Sequence, residues 1–428
     1  MKIVDDTLAR IVGRRRNPSD YLIPACMVLL LFIGVAFIYS SQSYISDDVP
    51  VMRQFWVKQL IYYFIIGLPV YLALAYVDYK WLFQNAHLIY FAAMLLLLPL
   101  VLKEVFSVPV PFVESRYNAT RWINLGLFSI QPSEIAKIGT CIMLASMLSS
   151  GKLIPFRENI LFWIKLALVF ALPIFLIFLQ PDLGSSLVFF PMLFSMLYIS
   201  ELPYRFFLTI IAVFAIVVGV VAADITGYYH FLQNNNITAR EAASQNAYGS
   251  SSAWNLPMKD YQRNRILAFV RPDSVDKNGT EVTWNQRQSL ISVGSGGFFG
   301  KGFTEGTQAK LGYLPSSVAY NDFIFSVVAE ESGFLGGALV IVLLACVVAY
   351  GCVRAAQVSR DRFGQFLCIG IAAILMTHSF INVGMTIGIM PITGLPLPML
   401  SYGGTFVLTC CILLGIVQSV FRHRREYA

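Results

Sequence analysis

Ten apolar stretches of roughly membrane length run through this chain, near residues 21–40, 56–77, 82–102, 132–149, 159–179, 183–200, 205–223, 332–353, 364–387 and 403–421. A helix needs about 20 apolar residues to cross the hydrocarbon core, and backbone polar groups in lipid must be satisfied within the element that spans it. The chain therefore reads as an all-α polytopic membrane protein with ten transmembrane helices. Composition points the same way: 57% of residues are hydrophobic and 13% charged, against about 25% charged in ordinary globular domains. The mean hydropathy is +0.66. This excludes a soluble enzyme, a disordered chain and a nucleic-acid-binding module, despite the net charge of +7. In a membrane protein that excess marks cytoplasmic flanks and anionic headgroups, and no nucleic-acid partner is expected.

An even number of spans puts both termini on one side. Arg10, Arg14, Arg15 and Arg16 precede the first span, and Arg422, Arg424 and Arg425 follow the last. Lys152 and Arg157, and Arg354, Arg360 and Arg362, fall in short loops on that same side, which the positive-inside rule makes cytoplasmic. The expected division is a basic cytoplasmic N-terminus (1–20), helices 1–7 (21–223), a large extracytoplasmic loop between helices 7 and 8 (224–321), helices 8–10 (322–421) and a cytoplasmic tail (422–428). The N-terminal run is of full membrane length with no small-residue cleavage site behind it, so no cleavable signal is expected. All seven cysteines lie in or beside apolar runs, where they read as packing residues and not as disulfide or metal ligands.

Two external segments stand out. One, 103–131, carries Lys103, Glu104, Glu114, Arg116 and Arg121-Trp122. The other, 224–321, is rich in Gly, Asn and Ser, and two stretches within it, LPMKDYQRNRILAFV and WNQRQSLISVG, are amphipathic. The glycosylation-type triplets at Asn118, Asn236 and Asn278 read as chance occurrences.

Charges beside spans need an explanation, since each costs about 2.5–3.5 kcal/mol in hydrocarbon on insertion scales. Glu134 and Lys137 in QPSEIAK are three apart on one helical face; they make either a local ion pair or the polar wall of a headgroup pocket. Asp182 in QPDLGSS opens a span, where N-capping alone would account for it. Arg53 and Lys58 stand at the external mouth of the second span, where snorkelling is the simple reading. Glu330 and Glu331 are adjacent, so they point to different faces and at least one looks into the bundle. The glycines of GSGGFFGKG would let backbone amides approach an anion, with Lys301 adding charge. Asp322 lies where the long loop returns to the membrane. It is either the N-cap of the helix FIFSVVAEE or a partly desolvated carboxylate suited to general-base work or metal binding. Between the last two spans, Pro391, Pro396, Pro398 and several glycines shape a non-helical segment, tolerated at membrane depth only where it lines something.

QPSEIAK, QPDLGSS, GSGGFFGKG, NDFIFSVVAEESGFLG and GLPLPMLSYGGT, in this order, resemble the SEDS family (shape, elongation, division and sporulation) from the first span to the last. The resemblance implies a peptidoglycan glycosyltransferase that polymerises lipid II at the outer face of the bacterial cytoplasmic membrane, with a class B penicillin-binding protein as transpeptidase partner. Carried over, Asp322 is the catalytic aspartate. Glu134, Lys137, Arg121, Trp122, Lys301, Asp182, Lys58 and Glu331 are substrate-binding candidates. The residue before Asp322 is Asn321, a departure from the family's usual TDF-like motif, and residues 224–283 follow the family pattern poorly. Short tails favour the RodA-like elongation branch over the FtsW-like division branch. Undecaprenyl pyrophosphate would be the leaving group. A divalent cation, Mg or Mn, held by Asp322 stays open as an alternative to direct base catalysis, and no organic cofactor is expected. Rival readings are a lipid II flippase, which would need buried charge through the full membrane depth, and a scaffold, which needs no Asp322.

Overall fold

The computed structural model describes residues 21–43, 54–106, 108, 110–116, 119–124, 129–150, 160–251, 256, 258–276 and 283–424. Arg10, Arg14, Arg15, Arg16, Arg53, Asn118, Lys152, Arg157, Asn278 and Arg425 lie outside the described residues. The apolar stretches fold as helices α1 (Leu22–Ser40), α2 (Phe55–Tyr76), α3 (Ala86–Phe106), α4 (Pro132–Ser150), α5 (Ile160–Phe178), α6 (Leu183–Tyr198) and α7 (Tyr204–Asn235). They continue, after the loop helices α8 (Ala239–Gln245), α9 (Asp260–Val270) and α10 (Trp284–Ser295), with α11 (Ile324–Val358), α12 (Arg362–Thr386) and α13 (Gly404–Arg422). The protein is a mostly helical, multi-pass membrane protein. Among the described residues, eight of these helices are long and apolar enough to cross a bilayer. The two apolar helices outside that set have local causes. Residues 132–150 carry Glu134, Lys137 and several hydroxyls, and α6 is short, with a break between Leu187 and Phe189.

α12 is the organising element: α4, α6, α11 and α13 all pack on it, while α13 also lies along α2 and α3 along α4. α7 is the opposite case: no residue of its apolar window is fully buried, and Phe206, Phe207 and Ile210 near its start are only partly covered by the bundle. All seven cysteines are free, and six of them are buried.

Three features depart from the sequence reading. First, α7 runs to Asn235, past the expected end near 223. Ile225, Tyr228 and Leu232 recur at helical spacing and bury against Ala239, Ala242 and Leu267 of α8 and α9, so the amphipathic continuation has a core to cover. Asn236 then stops the helix in the left-handed conformation, with φ of 50°. Second, the segment before α4 holds a small antiparallel sheet, β1 (Val113–Arg116), β2 (Ala119–Asn124) and β3 (Ser129–Ile130), with Glu114 opposite Trp122 and Ile123 opposite Ile130. Third, α11 begins at Ile324 and bends at Gly333, whose φ is 66°. A Cβ there would lie 2.3 Å from the Gly300 amide nitrogen, so only glycine lets the glycine-rich loop pack this closely on the helix.

Both amphipathic stretches of the long loop are helical, as α9 and α10. α10 lies against α11 and α12, with Ser289 donating to the Thr386 carbonyl at 2.9 Å.

Candidate active site

Asp322 sits in the turn that precedes α11 and is not its cap. The capping position is Phe323, without a side-chain hydrogen bond, so the N-cap explanation of Asp322 fails. The backbone is held instead: Asn382 Nδ2, buried on α12, donates to the Asp322 carbonyl at 2.8 Å and to the Leu395 carbonyl at 2.7 Å. Leu395 belongs to the proline-rich segment between α12 and α13. This segment is non-helical, as its composition requires, and it brings Gly394 beside Asp322 Oδ2. The segment is fixed from three further sides. Ser401 Oγ donates to the Asn321 carbonyl at 2.7 Å, Gln59 Nε2 to the Ser401 carbonyl at 3.1 Å, and the Tyr402 amide to the Tyr320 carbonyl at 3.0 Å.

Asp322 is half-buried, and the charges that act on its carboxylate are those of Arg265, Arg121 and Asp182. Burial pushes the Asp322 carboxyl up to about 6; the Arg265 and Arg121 guanidinium groups oppose that rise and Asp182 adds to it. Burial, and then the neighbouring positive charge of Arg121, pull Arg265 below its ordinary value. Arg265 rests near the Tyr261 ring, 5.9 Å from its centroid, and among the described residues it has no ion-pair or hydrogen-bond partner. Arg121 extends from β2 to donate to the Pro181 carbonyl at 2.5 Å and lies 3.9 Å from Asp182 Oδ1. Tyr261 Oη donates to the same Pro181 carbonyl at 2.9 Å. Asp182 is the cap that its position suggested, accepting from the Ser185 amide at 3.4 Å and the Ser185 hydroxyl at 2.8 Å. It also accepts from Gln131 Nε2 at 3.3 Å, so the cap doubles as a strut between α4 and α6.

The other candidates form separate groups. Glu134 and Lys137 pair at 2.7 Å, fully within the bundle, and Lys137 Nζ is also 2.9 Å from His378 Nε2 on α12. Glu330 and Glu331 both hold the glycine-rich loop. Glu330 Oε1 takes Lys301 Nζ at 2.6 Å and the Thr307 amide at 2.8 Å, while Glu331 takes the Thr304 amide at 3.1 Å and the Ser40 hydroxyl. The amides of Gly300, Lys301 and Gly302 donate to the carbonyls of Gly296, Glu330 and Glu331, so they point at this chain's own oxygens. Lys58 lies 5.4 Å from the centroid of Phe55, whose ring stacks on Tyr320 at 4.6 Å, which places it on the rim two residues from Asp322. Trp122 takes no part in the bonds around Asp182.

The model of the FtsW, RodA and SpoVE family, described as Cell cycle protein, matches residues 20–426. The chain belongs to that family. It is 31% identical over 445 residues to the peptidoglycan glycosyltransferase RodA of Treponema pallidum, covering 94% of this chain and 97% of that one. It is also 33% identical over 308 residues to the peptidoglycan glycosyltransferase MrdB of Escherichia coli, covering 72% of each. Its fold matches, with a TM-score of 0.67 and 25% identity, a chain from a structure titled as the structural coordination of polymerization and crosslinking by a peptidoglycan synthase complex. That match covers 94% of this chain and 98% of the other.

Within this family frame, sequence reasoning missed Arg265, Tyr261, Gln131, His378 and Asn382. Two of these carried a usable signal: His378 and Asn382 are polar residues four apart inside an otherwise apolar span, which marks a buried polar face. Arg265 had a weaker one. Arg263 and Arg265 are two apart on α9, so they cannot share a face; Arg263 is spent inside on Asp224 at 2.8 Å and Asp260 at 3.1 Å, which leaves Arg265 for the site.

Proposed function

We propose that the chain is a peptidoglycan glycosyltransferase of the elongation, rod-shape branch, polymerising lipid II at the outer face of the bacterial cytoplasmic membrane. The observation that carries this is the half-buried Asp322 carboxylate under the charge of two guanidinium groups, those of Arg265 and Arg121, in a chain aligned over nearly its whole length with a relative named peptidoglycan glycosyltransferase RodA. The reaction needs a base for an incoming hydroxyl and positive charge for a departing pyrophosphate. Asp322 removes the proton from the acceptor's 4-hydroxyl as its oxygen bonds the anomeric carbon of the donor. The bond from that carbon to phosphate breaks, and its electron pair leaves on undecaprenyl pyrophosphate. Arg265, without a hydrogen-bond or ion-pair partner among the described residues, and Arg121 would meet that developing charge, and Lys58 on the rim would take an incoming headgroup.

A divalent cation at Asp322 would supply the same charge stabilisation. Among the described residues no three His, Cys, Asp or Glu side chains gather into a metal site, so a cation there would draw its remaining ligands from substrate phosphates and water, as Mg usually does. The residues of the site fit either case.

The ten-span topology with cytoplasmic termini and a large extracytoplasmic loop belongs to the same reading. It is supported by the basic residues flanking the short loops. Cysteines at Ser250 and Asn285 should label from outside and one at Val358 from inside; labelling of Asn285 and Val358 from one side would overturn it. A class B penicillin-binding protein is the expected partner, supported by the likeness to a chain of a peptidoglycan synthase complex. The decisive experiment supplies lipid II to the purified protein in detergent and scores glycan polymer. Absence of polymer from a folded preparation, both alone and with its transpeptidase, would overturn the function.

A further inference from the structure

Among the described residues, the Glu134, Lys137 and His378 cluster is a buried ionic group inside the bundle that the mechanism above does not use. Lys137 is 0% exposed, and its Nζ sits between Glu134 Oε1 at 2.7 Å and His378 Nε2 at 2.9 Å. An ammonium only donates, so His378 Nε2 must be the accepting nitrogen, which leaves the proton on Nδ1. That Nδ1–H donates to the Pro396 carbonyl at 3.2 Å. One turn further along α12, Asn382 takes the adjacent Leu395 carbonyl and the Asp322 carbonyl with the two hydrogens of one amide nitrogen. Two successive carbonyls of the proline-rich segment are thus held from one face of α12, and the same face holds Asp322. This segment has few internal hydrogen bonds, because its prolines lack donors, so its position depends on such outside contacts.

We propose that Lys137 and His378 are positioning residues and not ligands of the substrate. Lys137 fixes the His378 tautomer, and His378 and Asn382 together hold the segment 391–401 that sets Asp322 in place. The proposal rests on Asp322 being the reacting carboxylate. It differs from a headgroup-pocket role for Lys137, in which a pyrophosphate would have to part α4 from α12 to reach a nitrogen that already has two partners.

The test measures glycan polymerisation from lipid II by the purified full-length protein carrying Lys137→Met, His378→Leu, His378→Gln or the double change Lys137→Met with His378→Leu. A displaced reacting group costs turnover on the order of 10- to 100-fold. Turnover should fall by that much in Lys137→Met and in His378→Leu, with KM for lipid II unchanged within about two-fold. The double change should be no worse than the poorer single one, as expected for residues acting as one unit. His378→Gln should keep most of the turnover, because its amide can both accept from Lys137 and donate to Pro396. If Lys137→Met leaves Glu134 unpaired and the protein does not fold, Glu134→Gln with Lys137→Met removes both charges and replaces it. A KM raised about ten-fold or more with turnover kept would make Lys137 a substrate ligand and overturn the proposal. Additive losses in the double change, or a Gln variant as poor as Leu, would overturn it as well. Asp322→Asn is run in parallel: if that variant is fully active, the reading of Asp322 has failed, whereas an inactive Asp322→Asn beside a KM effect at Lys137 sinks the positioning role alone.

Discussion

A Cβ placed on Gly394 would stand 3.5 Å from Oδ2 of Asp322, and Gly394 itself has a φ of 74°. The proline-rich segment therefore approaches the carboxylate with a residue that has no side chain, in a backbone conformation that other residues resist. Gly394→Ala should meet a left-handed strain of about 1–2 kcal/mol. It should lower the apparent melting temperature slightly and reduce polymerisation, because relief of that strain moves the segment against Asp322. Unchanged melting and unchanged turnover would show that the close approach has no functional weight.

Asp322→Asn should express and fold, since the side chain is not a helix cap. Loss of a general base costs about 10²–10⁴-fold in rate, and glycan polymer formed from lipid II should fall by that order. The variant should also be more stable than the parent at pH 7. Burial raises the folded-state value to about 6, above the ordinary carboxylate value of about 3.9, so the parent loses stability as pH climbs through that interval. Melting curves of the two at pH 4 should converge; a gap that widens toward pH 4 contradicts the assignment.

The pH profile of turnover follows from the same group. A base must be unprotonated, so activity should rise with pH through an apparent midpoint near 6, as burial of Asp322 requires. Initial rates of polymerisation between pH 5 and 8 would test this, and a rate already at its plateau at pH 5 would not fit.

Exchanging the buried pair, Glu134→Lys with Lys137→Glu, keeps the net charge and the three-residue spacing. It also puts a carboxylate where His378 Nε2 now accepts a hydrogen, which calls for the opposite tautomer and removes the Pro396 bond. Folding should recover better than activity. Full activity in the exchanged protein would reduce the pair to a simple ion bridge.

The two arginines of α9 should behave differently. Arg263 is fully buried between Asp224 and Asp260, and Arg263→Met strands both carboxylates at a cost of about 3–5 kcal/mol. Limited proteolysis should then cut between α7 and α10. Arg265→Gln should leave the proteolytic pattern unchanged and weaken lipid II polymerisation, with the loss appearing in turnover if the guanidinium meets charge that develops only in the reaction. The reverse pattern would exchange their roles.

The membrane class, the helical segments and the pairing of Glu134 with Lys137 were legible because they rest on local facts. Apolar length, a proline before a carboxylate and a three-residue spacing are properties of adjacent residues. The capping choice at Asp182 was legible too, since a cap is made within one turn. At Asp322 the same local reasoning also offered a cap, and that reading fails: Phe323 takes the capping position, and Asn382, 60 residues away on α12, holds the Asp322 carbonyl.

What the sequence could not contain is which distant groups meet. Arg265 reaches the site because Arg263 is consumed by Asp224, 39 residues earlier on α7. Arg121 reaches it because a short sheet, stabilised by pairing and not by periodicity, extends from the bundle. Lys301 and the glycine-rich loop are drawn to Glu330 and Glu331 because a loop packed on a membrane helix must find acceptors for its own amides. By itself, the sequence determined that this is a membrane-spanning chain with charges at defined helix ends. The tertiary structure alone decided which of those charges act on Asp322, because packing brings polar groups together however far apart they lie along the chain.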